Sequence, residues 1–159
     1  MEELFVNMGQ INSLKVGGIL TTVGLGSCIG ITLYDNSVKV GVMGHIFLPK
    51  SRASDKNALP GKYADTGIIA MIKEAENLGA LKSRLEAKLA GGANLFSNLS
   101  LNGTSIGEQN AHAVIAELEH FGIPIIGKDV GGSYGRKMRF YIESGIVAVT
   151  AVGKEAIEI

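Results

Sequence analysis

Residues 29–47 read IGITLYDNSVKVGVMGHIF. Ile29 to Tyr34 and Val38 to Phe47 are two β-rich runs, separated by the turn cluster Asp35-Asn36-Ser37, so the stretch predicts a hairpin. Both runs are apolar at nearly every position, the pattern of strands covered on both faces. Such a sheet needs a layer on each side, and two segments offer helical cover. Ile68, Met71, Ile72, Ala75 and Leu78 form an amphipathic stripe that starts at Asp65 or Thr66 and stops at Gly79. Further on, Thr104 or Ser105 caps a second helix with Ile106, Ala113, Val114, Leu118 and Phe121 as its inner face and Gly122 as its stop.

Five more runs read as strands: Ile19 to Val23, Leu85 to Ala90, Ile123 to Val130, and a last hairpin of Arg136 to Ile142 with Ile146 to Val152 about Ser144-Gly145. Pro49 to Gly61 is a polar loop. The order is strands, helix, strand, helix, strands, which is neither strict βαβ alternation nor all-β. It predicts an α/β protein, a layered sandwich of mixed β-sheet with two amphipathic helices, in one domain spanning residues 1–159.

Composition narrows the function. Fifteen Lys plus Arg against fifteen Asp plus Glu give no net charge, which argues against nucleic acid as a partner. The basic stretch Arg136, Lys137, Arg139 reads as a solvated strand face. Apolar runs are too short for the roughly 20 residues of a membrane span, and the start lacks a signal-peptide pattern, so the expected location is cytoplasmic, without membrane insertion. One Cys and three His make a structural zinc site improbable. His112 and His120 share a helix without a third ligand nearby and read as surface residues. Glycine is in excess, 22 in 159 residues, or about twice its usual share.

The lone cysteine sits in GLGSCIG, residues 24–30. This is not a dinucleotide fingerprint: the third glycine comes one residue late, and a strand follows where a helix is required. A thiol near ~8.5 in pKa needs a base to react at neutral pH, and the hairpin folds His45 back beside Cys28. A buried cysteine beside a core histidine fits the same spacing. If the pair is reactive, Thr22 or Ser27 is placed to orient the imidazole, and the glycine-flanked loop around Gly26 and Ser27 offers backbone N–H groups to an oxyanion. No metal or cofactor is needed for thiol chemistry of this kind.

Six blocks carry a family resemblance: TTVGLGSCIGITLYD, GVMGHIFLPKS, KYADTGIIAMI, LEAKLAGGANLF, IGEQNAHAV and GKDVGGSYGRKMRFYIESG. In this order, over roughly residues 15–150, they resemble the CheD family of chemoreceptor glutamine deamidases. The resemblance implies a Cys–His–Thr triad at Cys28, His45 and Thr22, and a layered fold related to the catalytic domain of cytotoxic necrotizing factor toxins. It implies conversion of glutamine side chains on the cytoplasmic domains of chemotaxis receptors to glutamate and ammonia, and in some members hydrolysis of receptor methyl esters. A CheC-type phosphatase is the implied protein partner. Gln109 stands where family members often carry arginine. Two other readings compete: a regulator that binds CheC and receptors with little or no catalysis, and a redox sensor built on Cys28, which would need an external resolving thiol.

Overall fold

The computed structural model describes residues 1–95 and 104–159; Phe96, the last residue of the fourth block above, lies outside them. In chain order the strands are β1 (Glu3–Phe5), β2 (Ile11–Lys15), β3 (Ile19–Leu25), β4 (Ile29–Asp35), β5 (Val40–Ile46), β6 (Glu86–Gly91), β7 (Ile125–Val130), β8 (Arg136–Tyr141), β9 (Val147–Thr150) and β10 (Ile157–Glu158). Helix α1 (Ala64–Asn77) precedes β6 and α2 (Ile106–His120) follows it. The strands form two five-stranded sheets, β1-β3-β8-β9-β10 and β2-β5-β4-β6-β7.

The expected hairpin is present, with Asp35 opposite Val40 and Gly30 opposite His45, and it occupies the middle of the second sheet. All seven residues of β4 and all seven of β5 are buried. Their side chains alternate between two cores. Ile29, Ile31, Leu33, Val42 and Ile46 pack with Ile68, Met71 and Ala75 of α1 and with Val114 and Leu118 of α2. Cys28, Tyr34 and Met43 instead pack with Leu20 of β3, Met138 and Phe140 of β8, and Val147 of β9. The molecule is therefore three layers deep: helices, second sheet, first sheet. Each side chain this size that leaves water contributes roughly 1.5–3 kcal/mol, which is why a run without polar alternation settles in the middle layer.

Both helices and the Arg136 hairpin form as expected, with local differences. Helix α1 starts at Ala64 with Tyr63 as its N-cap, and no side chain caps it. Asp65 is drawn off by Ser51, accepting from its backbone N at 3.0 Å and from its Oγ at 2.8 Å. The Ser105 hydroxyl does cap α2, accepting from Glu108 N. Ile106 points outward, 41% exposed, because the first turn of α2 buries Gly107 and Asn110 instead. Arg136 is not on a solvated face: it is 4% exposed and held between loops.

Strands β1, β2 and β10 have no counterpart in the sequence reading. The first of them matters most. Glu3–Phe5 runs parallel to β3, and the following Val6 donates its N–H to Thr21 O at 2.8 Å.

Candidate active site

Register places the candidate side chains. Gly30 and His45 are directly opposed, so both face the first sheet, and Cys28 lies two residues before Gly30 on the same side. From the first sheet, Thr22 of β3 reaches across the gap: its Oγ1 lies 2.8 Å from His45 Nδ1. Of the three side chains named from the sequence, Thr22 and His45 thus meet directly, and Cys28 packs into the core between the same two sheets. Cys28 is 4%, Thr22 1% and His45 2% exposed.

Gly30 makes that approach possible. A Cβ there would stand 2.7 Å from Met138 Sδ, 3.0 Å from Leu25 Cδ1 and 3.4 Å from Thr22 Cγ2. Just past Thr22, β3 carries a bulge: its pairing with β8 slips between Thr22 and Leu25, and Gly24 adopts φ +68°. Such an insertion twists the strand away from its partner at the point where the loop carrying Cys28 leaves it.

The hydrogen bonds decide the imidazole's tautomer. Thr22 Oγ1–H donates to Val6 O at 2.6 Å. With its single proton spent there, Oγ1 accepts from Nδ1–H of His45, which leaves Nε2 with a free lone pair. That Nε2 is buried and has no hydrogen-bond partner among the described residues. The Val6 carbonyl was missed by sequence reasoning, since a backbone group just past a three-residue strand leaves no side-chain signature.

The Gly26–Cys28 loop is held by its carbonyls. Ala93 N donates to Gly26 O and Gly92 N to Cys28 O, each at 2.9 Å. Gly91, with φ +114°, is the residue that lets β6 come this close, because any Cβ would overlap the Cys28 carbonyl oxygen. Ser27 O accepts from Asn110 Nδ2 at 2.9 Å. The Gly26 N–H is spent on Gly24 O at 3.0 Å. The Ser27 and Cys28 N–H groups have no hydrogen-bond acceptor among the described residues.

Electrostatically the pair rests uncharged. Burial pushes the Cys28 thiol up to about 11 and holds the His45 imidazole below its ordinary 6.5, with the Val6 carbonyl opposing the second effect. A buried guanidinium lies close by: Arg136 Nε donates to Asp129 Oδ2 at 3.0 Å, and Nη1 donates to Gly131 O at 2.8 Å and Gly91 O at 3.3 Å. His112 and His120 are exposed on α2. Among the described residues no three His, Cys, Asp or Glu side chains converge as metal ligands would, and no helix is long and apolar enough to cross a membrane.

A thiol, a neutral imidazole aimed by a hydroxyl, and two unspent backbone N–H groups make up the equipment for nucleophilic attack on a carbonyl, set in an α/β/β sandwich. The comparisons with known proteins agree on one family. The profile described as CheD chemotactic sensory transduction matches residues 47–151, and this chain belongs to the CheD family. A probable chemoreceptor glutamine deamidase CheD of Caldanaerobacter subterraneus is 46% identical over 151 residues, covering 94% of this chain and 93% of the relative. The corresponding protein of Pyrococcus horikoshii is 42% identical over 96% of this chain and 94% of its own length. The chemoreceptor glutamine deamidase CheD of Thermotoga maritima is 40% identical over 93% and 91%.

Proposed function

We propose that this protein is a chemoreceptor glutamine deamidase working through Cys28. The observation that carries the reading is the Thr22–His45 hydrogen bond, which commits Nδ1 and frees Nε2 on the face that Cys28 shares. The names of the relatives supply the substrate class.

In the first half-reaction Cys28 Sγ attacks the carboxamide carbon of a receptor glutamine as His45 Nε2 takes the thiol proton. The oxyanion is held by the N–H groups of Ser27 and Cys28 in the loop behind Gly26. The imidazolium returns the proton to nitrogen, the C–N bond breaks, and ammonia leaves a γ-glutamyl thioester. In the second half-reaction water gives a proton to Nε2 and its oxygen to the thioester carbon. The C–S bond then breaks, the proton returns to Sγ, and glutamate is released. Because the thiol is not ionised at rest, His45 acts as base during the attack rather than storing a thiolate beforehand.

The test is mass spectrometry of a receptor cytoplasmic fragment incubated with the protein, read as the one-unit gain of glutamine turned to glutamate. Cys28→Ala should abolish it while the fold survives; a variant that still deamidates would overturn the reading. Docking of a CheC-type phosphatase and hydrolysis of receptor methyl esters are measured on the same preparations. Binding of CheC by a wild type that releases no ammonia would favour the regulatory alternative.

A further inference from the structure

The β4–β5 ladder stops at the pair Ile29–Ile46, one rung short of Cys28. Beyond it, β5 turns away: Phe47 N and Leu48 N both donate to Lys62 O, at 3.0 and 2.9 Å. No main-chain hydrogen bond then joins the residue before the nucleophile to the residues after the base. That missing rung is supplied from α2. Asn110 Nδ2 donates to Ser27 O at 2.9 Å and to Phe47 O at 3.0 Å, one proton to each strand. With both amide protons spent, the side chain has one orientation only.

Asn110 is completely buried, and its Oδ1 has no partner among the described residues. A position kept only for packing would take an apolar side chain here and leave no orphaned oxygen. The helix is set to deliver this amide. Gly107, one turn earlier, presses against the Gly92–Ala93 backbone, where a Cβ would come within 2.5 Å of Gly92 O. That same Gly92–Ala93 pair donates to Cys28 O and Gly26 O.

We infer that Asn110 is a positioning residue for the thiol reaction, clamping the Ser27 carbonyl to the Phe47 carbonyl and so holding the distance between Cys28 Sγ and His45 Nε2. The inference rests on the reading of Cys28 and His45 as the reacting pair. It concerns geometry and not substrate contact, so its loss should lower kcat and spare KM. A misplacement of about an ångström between reacting groups costs on the order of 100-fold in rate.

The experiment compares wild type with Asn110→Ala, Asn110→Asp and Asn110→Ser. Asn110→Ser keeps one donor and can serve one carbonyl, whereas Asn110→Asp keeps the shape and loses both donors when ionised. Thermal melts establish the folded range of each. Within it, two quantities are read: receptor-glutamine deamidation, and the pH profile of Cys28 alkylation by iodoacetamide, with Cys28→Ala as blank. We expect kcat to fall about 10- to 100-fold in Asn110→Ala with KM within about twofold, Asn110→Ser to lie between, and the alkylation profile to move toward that of His45→Ala. A folded Asn110→Ala with wild-type kcat and an unmoved profile overturns the clamp. If Asn110→Ala does not fold, Asn110→Ser decides: wild-type kcat and profile there also overturn it. A wild type that does not deamidate removes the proposed function, but the alkylation profiles still decide the clamp.

Discussion

Thr22 Oγ1 and His45 Nδ1 meet at 2.8 Å across the gap between two sheets, and the same hydroxyl gives its proton to Val6 O. One threonine therefore couples an N-terminal strand, a bulged strand and a hairpin to a single choice of imidazole tautomer.

Thr22→Val keeps the volume and removes that choice. It leaves Nδ1–H and the Val6 carbonyl unpaired in the interior, a destabilisation of about 1–3 kcal/mol. Deamidation should fall about 10²- to 10⁴-fold, the range for losing the group that orients a reacting histidine. Thr22→Ser should stay within about tenfold of wild type. Steady-state kinetics with a receptor fragment, beside a urea titration of each variant, separates the two effects.

Stability should fall in alkali because of Cys28. Its folded pKa, about 11, lies above the ordinary 9.0 of an exposed thiol, so the unfolded chain gives up its proton first as pH rises. The buried thiol contributes fully below pH 9, and its contribution drains away between 9 and 11, by roughly 3 kcal/mol at most. Urea midpoints at pH 8 and at pH 10.5 should diverge in wild type and much less in Cys28→Ala; equal slopes in both would count against a buried neutral thiol.

His45 gives the opposite sign at the acid end. Its folded pKa is lowered by burial, so the unfolded chain takes the proton first as pH falls below 6.5. Stability is present above that value and declines as pH drops through the folded pKa. The acid limb of kcat/KM, set by the neutral base in the free enzyme, should therefore lie below pH 6.5. His45→Gln should flatten the stability curve and remove activity.

Gly30→Ala tests the spacing of the layers. The added methyl meets Met138 Sδ and Leu25 Cδ1, and overpacking of this kind costs about 1–3 kcal/mol. Met138→Ala opens a cavity of its own, but the double variant should be more stable than the two single losses add up to. Thermal denaturation of the four proteins gives the coupling energy.

Much of this was readable in the residues, for a physical reason. Local patterns carry over directly: the turn at Asp35-Asn36-Ser37, the stripe from Ile68 to Leu78, and the Ser105 cap all became the elements they predict. His45 lands opposite Gly30, two residues from Cys28, because a hairpin of known turn fixes which residues oppose each other. What stayed hidden depends on contacts between distant segments. Glu3–Phe5 is too short to show a period and exists by lying along β3. Arg136 looks solvated until Asp129, Gly91 and Gly131 surround it. Asn110 in a polar helical stretch gives no hint that two carbonyls wait for its amide.

Because Thr22 belongs to one sheet while Cys28 and His45 sit with the other, the proposed triad is complete only when the two sheets have docked. Regain of ammonia release during refolding is therefore a clock for the moment the sheets dock, a moment that circular dichroism of the separate strands and helices does not register.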